Sequence, residues 1–202
     1  MEKGFLKTIL RSDQTVFTFK DFLLMWGGID VKTAKVRINY YVKSGDLYSI
    51  RRGIYAKDQD YDRFELATKI FTPAYISLET VLGIAGVTFQ YYGQIFVASY
   101  QTKEIVADGQ KIVFKTFKDS ILTNSVGIEK RDHYAIASPE RAFLDAVYLY
   151  KDYYFDNLGA LDWEKVNEIV PVYGNNKRMS DRVNEYYQIF QEEENDPQSS
   201  HT

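Results

Sequence analysis

Phe19-Lys-Asp-Phe-Leu-Leu-Met-Trp26, a Gly27-Gly28 break, Val31-Lys-Thr-Ala-Lys-Val-Arg-Ile-Asn-Tyr-Tyr-Val-Lys-Ser44 and, after Gly45, Leu47-Tyr-Ser-Ile-Arg-Arg-Gly-Ile-Tyr-Ala56 make up the stretch that decides the fold. Apolar residues in the first two segments recur at helical spacing. Asp30 stands where an N-cap is wanted and Gly45 where the helix must stop. In the last segment Leu47, Ile50, Ile54 and Tyr55 supply β-propensity around an Arg51-Arg52-Gly53 turn. Two helices joined by a tight glycine break and closed by a hairpin are the layout of a winged helix-turn-helix, predicted here for residues 1–57.

Working outward, residues 2–11 give an amphipathic helix with Phe5, Leu6, Ile9 and Leu10 as its apolar stripe. Phe17, Phe19, Phe22, Leu23, Met25 and Trp26 complete a small core; at this spacing they are packing residues rather than a platform for stacked bases. Residues 1–57 hold eleven basic side chains against five acidic ones, a balance of +6. The whole chain is at -3, which leaves -9 on residues 58–202. A basic head on an acidic body is expected where one end alone meets phosphate.

Within Val31–Ser44, Ala34, Ile38, Tyr41 and Val42 should face the core, with Val31 at the helix start. The opposite face then carries Lys32, Thr33, Lys35, Val36, Arg37, Asn39, Tyr40 and Lys43, groups suited to base edges and phosphates in a major groove. Arg51 and Arg52 at the hairpin tip would reach a flanking phosphate or minor groove. A solvated helix face and a charge-blunted edge strand would give the same composition piecewise. Their succession in one short stretch favours double-stranded DNA as the partner.

At 202 residues and 45% hydrophobic, the chain can bury a sizeable core. With no cysteine, disulfides and thiolate metal sites are excluded. No apolar run is long enough for a membrane span, and the first residues lack the apolar core of a secretory signal, so a cytoplasmic protein is expected. The polar run Lys57–Arg63 marks the join to a second domain over 64–190, with a disordered tail at 191–202. Helices are predicted at Glu65–Phe71, Ser77–Gly86 (Ser77 as N-cap), Ser138–Lys151, Asp162–Val170 and Lys177–Glu193. Strands are predicted at Gln94–Tyr100, Glu104–Ala107, Lys111–Phe117 and Tyr134–Ala137, with Asp108-Gly109 as a hairpin turn. The fold class is α+β: a winged helix-turn-helix followed by a mixed domain of helices and a mostly antiparallel sheet. In Ala137-Ser-Pro-Glu-Arg-Ala-Phe-Leu-Asp-Ala-Val-Tyr148, Ser138 caps and Pro139 suits the first helical position. Arg141 and Asp145, four apart, read as a surface ion pair.

These stretches resemble the AbiEi family of antitoxin-regulators from bacterial type IV toxin–antitoxin systems, over about Val16 to Tyr150. The resemblance rests on Lys43-Ser-Gly-Asp-Leu-Tyr-Ser-Ile-Arg-Arg-Gly-Ile-Tyr-Ala56, on Ile76-Ser-Leu-Glu-Thr-Val-Leu82 and on Tyr134-Ala-Ile-Ala-Ser-Pro-Glu-Arg-Ala-Phe-Leu-Asp145. It implies an N-terminal winged helix that represses its own promoter, a C-terminal antitoxin domain, and a nucleotidyltransferase toxin as functional partner, with no stable complex required and self-association on DNA allowed. It implies DNA contacts from the exposed helix positions and from Arg51 and Arg52. Ser77, Glu79, Arg141 and Asp145 match the family pattern without an assigned chemical role.

Catalysis is not expected, and neither a cofactor nor a metal is. The two histidines, His133 and His201, form no metal cluster and no catalytic arrangement, and neither a Walker loop nor a dinucleotide fingerprint is present. Glu104, Asp108 and Lys111 would suit a metal-dependent nuclease, but the turn itself wants Asp108. The alternative to an antitoxin is a winged-helix regulator whose tyrosine-rich body, with 17 tyrosines in the chain, binds another protein.

Overall fold

The computed structural model describes residues 3–90, 92–174 and 176–195 of a mixed α+β protein. Its N-terminal unit runs α1 (Lys3–Arg11), β1 (Val16–Thr18), α2 (Phe19–Trp26), α3 (Val31–Ser44), β2 (Tyr48–Arg51) and β3 (Ile54–Ala56). A reciprocal cap starts α2, with the Thr18 hydroxyl accepting from the Asp21 N–H and the Asp21 carboxylate accepting from the Thr18 N–H. Asp30 caps α3, its Oδ1 accepting from the Thr33 N–H at 2.9 Å. Gly45 ends the helix at φ 82°, a left-handed conformation that glycine adopts without a Cβ penalty. Ala34, Ile38 and Tyr41 are buried as expected, whereas Val31 and Leu10 are exposed because each lies at the margin of its helix's apolar face.

β1, β3 and β2 form an antiparallel sheet in that order, and its pleat divides the side chains between two cores. Phe17 and Tyr55 face the helices, where both rings meet Phe22, at 5.5 and 5.6 Å. Val16, Ile54 and Ala56, on the alternate positions, belong to the core of the following residues. The sheet thus closes both cores at once, although the polar run at 57–63 reads in sequence as a simple join.

Polar contacts reinforce this seam. Asp62 caps α4 (Arg63–Ile70), whose buried Glu65 accepts from the Thr15 N–H at 2.9 Å, the Thr15 hydroxyl at 2.6 Å and the Val16 N–H at 3.2 Å. One turn on, Lys69 pairs with Glu65 at 3.0 Å and with Asp21 at 3.5 Å. Farther along, Asp108 accepts from the Tyr48 and Tyr61 hydroxyls, each at 2.9 Å, and Arg63 donates to its carbonyl at 3.1 Å. Those two hydroxyls hold the Asp108 carboxyl below its ordinary range, while burial and the same bond push Tyr61 up to about 12.

Beyond α4 lie β4 (Ala74–Ile76), α5 (Glu79–Ile84), β5 (Gln94–Ser99), β6 (Lys103–Ala107), β7 (Gln110–Thr116), α6 (Asp119–Leu122), β8 (Ile128–Lys130), β9 (Ala135–Ala137), α7 (Pro139–Leu149), α8 (Trp163–Ile169) and α9 (Lys177–Asn195). The strands form one sheet in the order β6-β7-β5-β4-β9-β8. Among the described residues three of its five pairings are antiparallel, as expected, but the sheet is mixed, because β5 pairs with β7, and β4 with β9, in parallel. After a short link β6 takes the outer position, and Asp108-Gly109, both at positive φ, turn β7 back between β6 and β5. β5 is buried from Ile95 to Ser99, as a strand covered on both faces must be.

Two further expectations are corrected. The helix after β4 begins at Glu79 rather than Ser77, because the Ser77 hydroxyl is drawn to a buried carboxylate 2.7 Å away. Residues 191–195 continue α9 instead of starting a disordered tail, and Tyr187 and Phe190 seat that helix against Trp163 at 5.1 and 5.5 Å. The rest of the expected tail lies outside the described residues.

Candidate nucleic-acid interface

Helical spacing sorts the exposed face of α3 into three strips. Lys32, Val36 and Lys43 lie along the outward ridge, all exposed. On the flank towards the hairpin, Lys35 and Asn39 meet Arg52, Gly53, Tyr55 and Phe19 around a concavity of about 250 Å³. The Lys35 ammonium sits over the Phe19 ring at 5.8 Å, which fixes its stem beside the start of α2. Two cations and an amide from separate elements therefore converge on one opening, a geometry that suits a phosphate group or a polar base edge.

The other flank is built differently. Thr33, Val36, Arg37 and Tyr40 line a groove shared with Leu6, Lys7, Leu10 and Arg11 of α1. The Arg37 guanidinium stacks on the Phe5 ring at 4.7 Å, so this arginine is committed to holding α1 against α3. The hydroxyl and N–H of Thr33 hold the Asp30 carboxyl below its ordinary value. That carboxylate occupies the positive end of α3, and a phosphate approaching the interface is met by side chains rather than by the helix terminus. Lys7 and Arg11 were not among the residues singled out in the sequence. Their i, i+4 spacing beside Leu6 and Leu10 is the signal that places them at this groove.

At the hairpin tip Arg52 is exposed, whereas Arg51 is half-buried with its Nη1 enclosed and lacking a hydrogen-bond partner. Arg52 alone of the pair joins the α3 concavity.

Ser77, Glu79, Arg141 and Asp145 divide into a network and an outlier. Arg141 and Asp145 are both 0% exposed, which overturns their reading as a surface ion pair. Asp145 accepts from Ser77 at 2.7 Å, Tyr173 at 2.7 Å and Tyr75 at 3.0 Å, with the Arg141 Nε at 3.4 Å. Arg141 also donates to the carbonyls of Val126 at 2.7 Å and Ile121 at 2.8 Å, tying α6 and the next loop to α7. Gly127 makes room for it: a Cβ there would stand 2.9 Å from the Arg141 Cβ. Burial raises the Asp145 carboxyl above its usual value, opposed by the Arg141 charge and the hydroxyl donors. Burial also disfavours the Arg141 charge, but Tyr173, Asp145 and Tyr75 outweigh that and hold its pKa up. Such a closed network organises the fold and offers nothing to a ligand. Glu79 is not part of it.

The nuclease-like trio does not assemble, since Glu104 pairs with Lys111 at 2.8 Å while Asp108 faces Tyr48 and Tyr61. Among the described residues no three His, Cys, Asp or Glu side chains are grouped to hold a metal ion, and no helix is long and apolar enough to cross a membrane. Compared with known families and curated proteins, the chain matches no family model and no curated sequence.

Proposed function

We propose that residues 1–57 are a winged helix-turn-helix that binds double-stranded operator DNA, and that the chain is a cytoplasmic antitoxin-regulator of the AbiEi kind, opposing a nucleotidyltransferase toxin without catalysing a reaction itself. The observation that carries the DNA half is the meeting of Lys35, Asn39 and Arg52 at one concavity beside the Lys32–Val36–Lys43 ridge. A helix of 14 residues is about 21 Å long, enough to lie along a major groove while the hairpin reaches the adjoining backbone. The body's charge of the opposite sign orients the molecule on the duplex.

The antitoxin half rests on the sequence resemblance. Its most specific pattern, Ser138 to Asp145, carries the buried Arg141–Asp145 network, so the pattern supports a shared scaffold and the neutralising surface lies elsewhere on the body.

Binding of the chain's own upstream DNA, followed by fluorescence anisotropy at several salt concentrations, tests the first half. The double variant Lys35→Ala, Arg52→Ala should bind more weakly and lose up to about two units of salt slope, roughly one per phosphate contact. Its melting temperature should stay within a degree or two of the parent's, both side chains being exposed. Superimposable isotherms would remove the interface from the argument. Co-expressed with the neighbouring toxin, the same full-length variant should still rescue growth. Failure by a folded, soluble variant would defeat the division of labour between head and body.

A further inference from the structure

A cleft of about 620 Å³ opens between α5, the loop that follows it, Phe64 of α4 and Gln110 at the start of β7. It lies apart from the α3 concavity and from the Arg141–Asp145 network. Phe64, Ile84, Phe89 and Tyr92 give it apolar walls. Glu79 is the single charged side chain among its described lining residues.

Two side chains in this lining are buried, each with one polar atom lacking a hydrogen-bond partner. Glu79 is 8% exposed, and its Oε2 has no hydrogen-bond partner. Thr88 is 4% exposed, and its hydroxyl also has none. Buried polar atoms are nearly always bonded, and a carboxylate oxygen left bare in apolar surroundings is among the costliest exceptions. The backbone adds to the anomaly: Leu78, just before Glu79, is held at φ 56°, a strained conformation for a non-glycine residue. That turn sends Ser77 to the Asp145 network and leaves Glu79 at the head of α5 facing the cleft. Burial raises the Glu79 carboxyl above its ordinary value, against hydrogen bonds from its own backbone N–H and from Tyr150 and the charge of Lys115. A bound positive charge would relieve this desolvation.

We propose that the cleft binds a small organic cation, an aryl- or alkylamine whose ammonium group pairs with Glu79 and bonds to the Thr88 hydroxyl while its apolar body lies against Phe64, Phe89 and Tyr92. A lone carboxylate among aromatic faces selects such a ligand: the rings attract a cation, no basic side chain in the lining would receive an anion, and a divalent metal needs more oxygen charge than one carboxylate. The volume falls within the range usual for small-molecule sites. The binding needs no DNA and is independent of the regulator reading.

Isothermal titration of the full chain with tyramine, tryptamine and agmatine tests the proposal, with tyrosol as the uncharged twin of tyramine. At least one amine should saturate at a single site, and tyrosol should bind weaker than tyramine by about tenfold or more, the loss expected for a charge-assisted bond. Glu79→Gln should weaken the amine to a similar degree without lowering the melting temperature. Gly83→Leu provides a second variant. Gly83 lines the cleft at an ordinary helical conformation with open space where its Cβ would stand, so a leucine there should block binding and leave the fold intact. No saturation by any amine, equal affinity for tyramine and tyrosol, or undiminished binding by either variant would overturn the assignment.

Discussion

Asp145→Ala is expected to lower the unfolding free energy by about 3–5 kcal/mol, the range found when one partner of a buried ion pair is removed. The loss exceeds that of one interaction, because Arg141 would keep its charge at 0% exposure while the hydroxyls of Ser77, Tyr75 and Tyr173 lose their acceptor. Urea denaturation gives the value directly. Tyr173→Phe removes a single donor and leaves the ion pair in place, so it should cost only about 1 kcal/mol. A change below about 1 kcal/mol for Asp145→Ala would mean that the network is hydrated or rearranged, and that Ser77, Arg141 and Asp145 are not a structural unit.

Glu65→Ala should have the next largest effect, about 3 kcal/mol, with a local signature. Its carboxylate collects the Thr15 and Val16 amides, the Thr15 hydroxyl and the Lys69 ammonium, all on or near β1. Without it Lys69 retains Asp21, but the start of β1 loses its only side-chain acceptor in α4 among the described contacts. Hydrogen exchange should therefore quicken at Thr15 and Val16 well before the amides of β5 and β7 are affected. Wild-type protection at β1 in a destabilised variant would show that the seam is held by apolar packing alone.

Much of the N-terminal unit was legible because its signals are local. The cap at Asp30, the glycine stop at 45 and the Arg51-Arg52-Gly53 turn act within a few residues of themselves, whereas the Thr18 cap of α2 went unread. Asp108-Gly109 announced its hairpin, and Ser138-Pro139 its helix, for the same reason. What stayed hidden depends on distant partners. β4 and β8 are three residues each, too short for alternation to register; β4 is paired by the longer β5 and β8 by the equally short β9. The parallel pairing of β5 with β7 follows from where β6 is displaced. Arg141 and Asp145 show the limit most clearly: i, i+4 spacing is the same for a solvated pair and a buried one, and burial is made tolerable by distant partners, Tyr75, Ser77 and Tyr173 and the carbonyls of Ile121 and Val126. On α3, spacing identified the exposed face, but the diversion of Arg37 onto Phe5 required the position of α1.

The three-stranded sheet that serves both cores has a consequence for how such a chain can change over time. Cutting after residue 57 and attaching the front to another body would strand Val16, Ile54 and Ala56 as a bare apolar face and leave the recipient short of one wall. Exchange of the front part must therefore carry α4 and the Asp108 hairpin along with it, and under the proposed regulator reading new operator preferences would arise more readily by substitution on α3 than by recombination.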